Sequence, residues 1–327
     1  MPKILCSIST RGRYHSTLPL ALQAIIHQTR QVDKLIIFDD NDQPQDMRKE
    51  LIYSHYFQIM DAKGIHWEWQ YAGKKGQHHN HQIANRMGFD WVWRIDDDAI
   101  PEPNVLENLV KHIAPNVGAI GGSVFTMPCD TNYNNATGRI DLIDKEPNIQ
   151  WGTITKIQEV DHLHCTFLYR AGIHDYNTGL SRVAHREETL FTWQLKQKGY
   201  KNIIIPNAIS YHMKAKTGGI RDNDKQYYID DLEKLTEHIH NENHSLRDKL
   251  RIFEGGGNNR GVSIDLSKAP NSVGGDLLWK ASGFVNRGVD VTCGNLKARI
   301  AASGNASLQI STVSGTYSVY GSGVYSQ

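Results

Sequence analysis

The protein has 327 residues, of which 39% are hydrophobic and 22% charged, and its formal net charge is +1. A chain of this length exceeds what one hydrophobic core usually supports, so we expect one large domain and a smaller one. The near-neutral charge excludes a whole-molecule attraction to nucleic acid or to an anionic membrane. The four cysteines are far apart, and no apolar stretch approaches the roughly 18 residues of a membrane helix. These features predict a soluble, cytoplasmic protein with free thiols and no membrane partner.

Short apolar runs alternate with amphipathic segments through the first hundred residues. Strands are predicted at KILCSIS, DKLIIFDD, IHWEWQYA and WVWRI, with helices between them at LPLALQAIIHQT, DMRKELIYSHYFQIM and GQHHNHQIANRMG. This alternation is typical of an α/β fold with a largely parallel sheet, in which ligands bind beyond the carboxyl ends of the strands. Acidic residues follow two of the predicted strands: Asp39 and Asp40 in one place, and Asp96, Asp97 and Asp98 in the other.

The following segments continue the pattern less regularly. Helices are predicted at NVLENLVKHI and REETLFTWQLKQKGY, strands at VGAIGGSVF and NIIIPNAISYH, and a strand and turn at EVDHLHCTFLYRAGI. Between Met127 and Gln158 the sequence is polar and rich in Asn, Asp and Gly, which predicts irregular structure with short strands. We expect the first domain to end near Thr217.

A charged segment and a glycine-rich joint come next. Ile229, Leu232, Leu235 and Ile239 are spaced for one apolar helix face, which we expect to dock or dimerise. The glycines of EGGGNNRG predict a flexible connection. The predicted divisions are an α/β domain at 1–217, which would carry the acidic residues, a helix and linker at 218–257, and a β-rich module at 258–327.

The last seventy residues change composition towards Gly, Ser, Val, Thr and Asn, with apolar and polar residues alternating. This pattern predicts a small all-β module. Aromatic residues beside hydroxyl and amide groups would suit a sugar polymer or a phosphate-bearing acceptor such as modified nucleic acid. The alternative is a packing module that makes a homo-oligomer. The aromatic residues are Trp279, Phe284, Tyr317, Tyr320 and Tyr325.

Four motifs follow one another along the chain. They are SISTRGRYHSTLPLALQAIIHQT, then DKLIIFDDND, then Gly76 and Asn80 ahead of the aspartate triplet and Pro103, and finally REETLFTWQLKQKGYKNIIIPNAISYH. In this order they resemble family 2 of the nucleotide-sugar-dependent glycosyltransferases, which are inverting enzymes of the GT-A fold. The resemblance runs from about Lys3 to His212. It implies a mixed Rossmann-like sheet with flanking helices. It also implies transfer of a sugar from a nucleoside diphosphate, UDP by family precedent, to a hydroxyl acceptor with inversion; the acceptor would be a glycan, a protein or a modified nucleic acid.

The aspartate triplet fits that chemistry. A nucleoside diphosphate leaving group gains negative charge, which a divalent cation neutralises, and carboxylates are suitable ligands for Mg²⁺ or Mn²⁺. We expect Asp98 to bind metal and Asp96 to bind the nucleotide sugar or the metal, whereas strand alternation turns Asp97 away unless a turn begins there. The resemblance adds His212 as a metal ligand. The alternative for the triplet is a solvated acidic turn.

The resemblance also implies a set of donor contacts. An aspartate at the matching strand end accepts hydrogen bonds from the nucleotide base, which points to Asp40, although Asp40 also suits an ordinary turn. The hydroxyl and guanidinium groups after the first strand could contact base or diphosphate, but Arg11 stands where the family more often has an aromatic residue. Lys75 could approach phosphate or be a surface lysine. The predicted nucleotide-sugar contacts are Thr10, Arg11, Arg13, Asp40, Lys75, Asn80, Asp96 and Asp97.

An inverting transfer needs a general base that takes the proton of the acceptor hydroxyl. Glu187 and Glu188 are the candidates, and the resemblance favours the second acid, Glu188. The alternative is that both are first-turn acids stabilised by the helix dipole. A position at a helix start would lower the carboxyl pKa and weaken the base.

The densest histidine cluster, His78, His79 and His81, has no carboxylate or cysteine at matching spacing, so we do not expect a zinc site there. Two other functions compete with glycosyl transfer. The first is a carbohydrate- or nucleotide-binding protein that keeps the fold without its chemistry. The second is a nucleotidyltransferase, against which stands the lack of a glycine-rich phosphate loop near the start of the chain.

Overall fold

The computed structural model describes residues 2–126, 154–215, 217–219 and 225–239 with their side chains, and elsewhere the backbone of individual strands and of the end of one helix. Within the described residues the strands are β1 (Ile4–Thr10), β2 (Lys34–Asp39), β3 (His66–Tyr71), β4 (Trp91–Asp96), β5 (Ala99–Pro101), β6 (Val117–Thr126), β7 (Ile140–Ile143), β8 (Glu146–Ile149), β9 (Gln158–Val160), β10 (Phe167–Arg170), β11 (Lys201–His212), β12 (Arg251–Ile252), β13 (Val289–Cys293), β14 (Leu296–Ile300), β15 (Ser307–Thr312) and β16 (Gly315–Tyr320). The helices are α1 (Leu18–Ile26), α2 (Leu51–Ala62), α3 (Gln77–Asn85), α4 (Val105–Val110), α5 (Glu187–Gln197) and α6 (Lys225–Lys249).

The main sheet is mixed. Among the described strands its order is β3-β2-β1-β4-β10-β6-β11-β5, with β9 also paired to β11. The first four of these strands run parallel, as do β6 and β11. However, β10 is antiparallel to both its neighbours, and β5 and β9 are antiparallel to β11. The expectation of a largely parallel sheet therefore holds for one half only, while the mixed sheet implied by the family resemblance is present.

The register of the central strands places the acidic residues at one edge of the sheet. Every residue of β1 is buried, which is typical of a central parallel strand covered on both faces. Thr10 pairs with Asp39 on β2, and Ser9 pairs with Asp96 on β4. The carboxyl ends of three adjacent strands thus lie side by side.

The short strand β5 brings the end of β11 next to the aspartate triplet. It pairs Ala99 with His212. Sequence reasoning did not predict β5, because it is three residues long and directly follows three aspartates, which are rare in strands. Strand β11 carries Pro206 at an irregularity in its pairing with β6, where a residue without an N–H is tolerated.

Helix α5 is confirmed within the predicted segment, and Glu187 through Leu195 are all buried. A helix that is buried on all sides belongs to the interior of a protein. The predicted strand at EVDHLHCTFLYRAGI is instead two strands, β9 and β10, with a break between them. Cys165 in this break has a left-handed φ of 61°, which is incompatible with a continuous strand.

The chain folds into two compact units, residues 1–140 with 149–235, and residues 141–148 with 236–327. The first unit reaches Leu235, whereas our predicted catalytic domain ends at residue 217. Leu235 is buried, but Ile229 and Leu232 are 48% and 37% exposed. The predicted apolar face of α6 is therefore only partly covered within this unit.

In the second unit, β12 to β16 pair antiparallel in chain order, and β7 pairs with β8. Residues 253–288 and 321–327 lie outside the described residues, and with them Trp279, Phe284 and Tyr325. The all-β module and its binding or oligomeric role stay predictions. In the described part of the chain, no helix combines the length and apolarity that a membrane crossing requires, and Cys6 and Cys165 are buried free thiols.

Candidate active site

The aspartate triplet spans the end of β4 and the turn that follows it. Asp96 is the last residue of the strand, and the turn begins at Asp97. Asp97 is therefore not turned away: it is buried and accepts hydrogen bonds from Thr10 Oγ1 at 2.8 Å and from the guanidinium of Arg13. Asp98 is also buried and lies 3.0 Å from Arg13 Nη1. All three carboxylates thus belong to one site at the carboxyl edge of the sheet.

Buried cations compensate the three adjacent carboxylates. Arg13 bridges Asp97 and Asp98, and the fully buried Arg94 lies 2.9 Å from Asp96. Burial and the charge of Asp98 raise the pKa of Asp97 to about 6, against the attraction of Arg13. Burial alone would raise the pKa of Asp98. The hydrogen bond with His212 and the charges of His212 and Arg13 outweigh burial and lower the pKa of Asp98 to about 2. Neighbouring carboxylates in this site therefore have different proton affinities.

The possible metal-ligand atoms at this edge of the sheet suit a divalent cation. His212 Nε2 lies 3.3 Å from Asp98 Oδ1, and ligand atoms of Asp96, Cys165 and His212 all lie within 4.8 Å of one another. Burial raises the pKa of the Cys165 thiol well above its usual value. A cysteine sulfur is also a soft ligand, which the hard cations Mg²⁺ and Mn²⁺ do not favour. Asp96, Asp98 and His212 provide the carboxylate and imidazole atoms that suit Mn²⁺.

The two aspartates after β2 have different environments. Asp39 is held by Tyr14, whose hydroxyl donates to it at 2.5 Å, and by Asn41. Asp40 is buried and accepts a hydrogen bond from Gly76 N at 3.1 Å, while its Oδ1 has no hydrogen-bond partner among the described residues. Gly76 has a φ of 117°, which favours glycine at this position. Burial raises the pKa of Asp40 to about 6. Asp40 therefore has a free acceptor atom that Asp39 lacks.

Only some of the residues predicted to contact the nucleotide sugar lie together. A cavity of about 170 Å³ is lined by Ser9, Thr10, Arg11, Arg13, Gln77, Asp96, Asp97, Asp98, Val183, His212 and Gly219. Asp40, Lys75 and Asn80 are not among its lining residues. The Lys75 ammonium donates to the Asn41 carbonyl at 2.5 Å, and Asn80 donates to Ser9 Oγ at 2.8 Å.

The segment after β11 lies against the loop after β1, and its Gly219 lines the cavity. Met213 N donates to the Asp98 carbonyl, and Gly219 N donates to the Arg11 carbonyl at 2.6 Å. Gly218 has a φ of 75°, and a Cβ there would lie 2.6 Å from the carbonyl oxygen of Gly12. The close approach of this segment to the loop after β1 therefore requires glycine at position 218.

The two glutamates at the start of α5 have different partners. Glu187 Oε1 lies 2.6 Å from Arg94 Nη2, and Glu188 Oε1 lies 3.0 Å from His164 Nδ1. Burial raises the pKa of Glu187. The charge of Arg94 opposes this shift, and the charges of Glu188 and Asp96 add to it. Burial opposes the ionised form of Glu188 as well, but the hydrogen bond and charge of His164 lower the pKa of Glu188. Glu187 thus faces a buried guanidinium, whereas Glu188 faces an imidazole.

Sequence reasoning missed two residues of this site. Arg94 was hidden in an otherwise apolar strand, although its position two residues before Asp96 put both on the same face of β4. His164 lies in a segment predicted as one strand and turn, and its contact with Glu188 follows from the break before β10. Its ring centroid lies 6.0 Å from that of His212. The histidines of α3 are not part of any metal-type cluster among the described residues.

The comparison with solved structures bears on the fold. The structure of GalNAc-T7 with UDP, GalNAc and Mn²⁺ aligns with a TM-score of 0.53 at 11% identity, covering 98% of this chain and 72% of that one. The fold is therefore that of the GT-A glycosyltransferases, as the resemblance implied. S. aureus TarS 1-349 aligns with a TM-score of 0.49 at 11% identity, covering 72% of this chain and 64% of that one.

The family follows from sequence. The sequence model of glycosyl transferase family 2 matches residues 8–188, and the chain belongs to this family. A curated relative, galactofuranosyltransferase GlfT1 of Mycolicibacterium smegmatis, is 27% identical over 110 residues. That match covers 33% of this chain and 35% of the relative, so the chain spans about a third of the length of that relative.

Proposed function

We propose that the protein is an inverting, metal-dependent glycosyltransferase that moves a sugar from a nucleoside diphosphate to a hydroxyl acceptor. One arrangement supports this most strongly: Glu188 contacts His164, whose ring neighbours that of His212, and His212 contacts Asp98. A carboxylate base thus lies one histidine away from the atoms suited to a cation. An inverting displacement needs a base for the acceptor hydroxyl and a site that neutralises the leaving group.

The reaction is a single displacement. The acceptor oxygen forms a bond to the anomeric carbon while the bond from that carbon to the diphosphate oxygen breaks, and the electron pair leaves with the diphosphate. Glu188 takes the proton of the acceptor hydroxyl. It is nine-tenths buried, and its hydrogen bond with His164 fixes the orientation of the carboxylate.

Asp96, Asp98 and His212 would hold a divalent cation, Mn²⁺ or Mg²⁺. Such an ion supplies charge neutralisation for the leaving diphosphate. Thr10, Arg11 and Arg13 line the same cavity, and Arg11 extends a guanidinium to the carbonyl of Asp40.

We propose that Asp40 binds the base of the nucleotide and that the nucleotide is UDP. The free Oδ1 of Asp40 is a buried acceptor, which a base N–H would satisfy, since buried polar atoms in native proteins are nearly always paired. UDP is also the nucleotide in the GalNAc-T7 structure. Lys75 and Asn80 are proposed as outer contacts of the donor.

A panel of nucleotide sugars incubated with the protein and Mn²⁺ tests the proposal. Release of a free nucleoside diphosphate is expected for transfer or for hydrolysis of the donor. Release of pyrophosphate would instead identify a nucleotidyltransferase, and nucleotide binding without release of either product would identify a binding protein.

A further inference from the structure

Helix α6 contributes a buried carboxylate to the loop that precedes the candidate base. Asp231 is fully buried, and its oxygens accept hydrogen bonds from Ser181 N at 2.6 Å, Ser181 Oγ at 2.7 Å and His185 N at 2.8 Å. Two of these donors are backbone N–H groups. A carboxylate that satisfies three donors in a buried position is a strong anchor, because charge-assisted hydrogen bonds are the stronger class.

The anchored loop runs directly into α5. Ser181 O accepts a hydrogen bond from Ala184 N at 3.0 Å, and Ala184 O accepts one from Glu187 N at 3.2 Å. The hydrogen bonds made by Asp231 are therefore linked through two short turns to the first residue of the helix that carries Glu188. Val183 in the same loop lines the cavity of the aspartate triplet.

The loop also contains backbone strain. Ala184 and Arg186 have left-handed φ values of 51° and 64°, and each such conformation costs roughly 1 kcal/mol or more for a residue other than glycine. Strained conformations of this kind persist only where the surroundings enforce them. Asp231 accepts hydrogen bonds from residues on both sides of Ala184, so it can hold Ala184 in the left-handed conformation.

Two neighbours on the same helix face strengthen the contact. Tyr228 and Lys234 lie three residues before and after Asp231, a spacing that places all three on one face. The Tyr228 ring lies 5.3 Å from that of His185, and Lys234 Nζ donates to the Gly179 carbonyl at 2.5 Å. Helix α6 begins after the segment that matches the family, which ends at residue 188. The contact is therefore a feature of this chain beyond the family match.

We propose that Asp231 is a positioning residue that sets the conformation of the loop 177–186 and thereby the place of Glu188 relative to the donor. The inference rests on the proposed function. Asp231 itself touches no part of the cavity. Its effect is mainly on the rate of the chemical step, because the proposed cation ligands and Asp40 lie on other elements and the loop contributes Val183 to the cavity lining.

The test compares Asp231→Asn with the matched control Glu233→Gln in the full-length chain. Glu233 is exposed on the same helix, so its substitution removes a carboxylate without touching the loop. In Asp231→Asn the side-chain NH₂ group replaces one carboxylate oxygen. An NH₂ group cannot accept a hydrogen bond from the backbone N–H of Ser181 or His185 that it then faces. Hydrolysis of a UDP-sugar with Mn²⁺ is followed, since water needs the same base as an acceptor hydroxyl.

We expect kcat of Asp231→Asn to fall by between about tenfold and 10²-fold, as misplacement of a reacting group can cost, while KM for the donor changes less than about twofold. Hydrogen exchange at the amides of Ser181 and His185 should be at least about tenfold faster. Glu233→Gln should match wild type in all three measurements.

Unchanged kcat and loop exchange in Asp231→Asn would overturn the inference, and so would a parallel loss of kcat, donor binding and melting temperature, which indicates a merely structural role. If Asp231→Asn fails to fold, Ser181→Ala replaces it, and unaltered kcat and exchange in that variant would count against the inference. If the wild type releases nucleoside diphosphate from no donor, the proposed function fails, and loop exchange alone then decides whether Asp231 anchors the loop.

Discussion

Arg94 and Glu187 form a buried ion pair in which 2.6 Å separates Nη2 of the guanidinium from Oε1 of the carboxylate. The same nitrogen lies 2.9 Å from Asp96. One guanidinium thus connects the donor side of the site, at the end of β4, with the helix that carries the candidate base. The adjacent Glu188 contacts His164, so the two neighbouring glutamates have different partners.

The first prediction concerns Glu187→Gln. This change removes one of the two carboxylates that compensate a fully buried arginine, and breaking a buried pair on one side typically costs about 3–5 kcal/mol. We expect a clear loss of stability in chemical or thermal denaturation. Glu107→Gln is a suitable control, because Glu107 pairs with Lys111 on the surface and such pairs contribute about 1 kcal/mol or less. Equal stability of the two variants would contradict the buried ion pair.

The second prediction concerns Glu188→Gln. A glutamine keeps the size of the side chain but cannot take a proton, so turnover should fall by about 10²–10⁴-fold. The affinity for UDP should change little, because the base acts in the transition state. Single-turnover kinetics and calorimetric titration with UDP measure the two effects. Should Glu187→Gln, folded and stable, lose turnover while Glu188→Gln keeps it, the roles of the two residues are reversed.

Local patterns in the sequence were sufficient to predict most of the sheet and its acidic edge. The strands β1, β2 and β4 are apolar runs that end in polar residues, and helix α5 has a clear start and a glycine after its end. These signals lie within ten residues of one another, where hydrophobic periodicity is informative.

The rest of the site depends on residues that are distant in sequence. The contact of His164 with Glu188 spans 24 positions, and that of Asp231 with Ser181 spans 50. Nothing in the spacing of such residues indicates that they meet, because the loop conformations between them decide it. The strand break at Cys165 is a further example, since a left-handed residue other than glycine has no reliable sequence signal.

The third prediction tests the cation ligands through Asp98→Asn. A neutral amide is a poor ligand for a hard cation, so turnover that depends on Mn²⁺ should be lost while circular dichroism shows an intact fold. Asp46→Asn is the control, because Asp46 pairs with Arg48 on the surface, away from the cavity. Turnover at wild-type rates in the presence of EDTA would refute the metal role of the triplet.

The last prediction uses the raised pKa of Asp40, which is about 6 because of burial. If the ionised carboxylate accepts the base N–H, affinity for the nucleotide should weaken several-fold as the pH falls below about 6. Uridine is the appropriate probe, since it has no phosphate that titrates in this range, and calorimetry or NMR can follow its binding. The Asp40→Asn variant should bind uridine weakly, without this pH dependence.

Stability should respond in the opposite direction. The folded-state pKa of Asp40 lies above the usual value for an aspartate, about 3.9. Its contribution to stability is therefore fully present below about pH 3.9 and is lost as the pH rises through about 6. Between about pH 4 and pH 6, the free energy of unfolding of Asp40→Asn should depend less on pH than that of the wild type. Uridine affinity that stays constant across pH 6 in the wild type, with stability that still titrates there, would show that Asp40 is buried but does not contact the base.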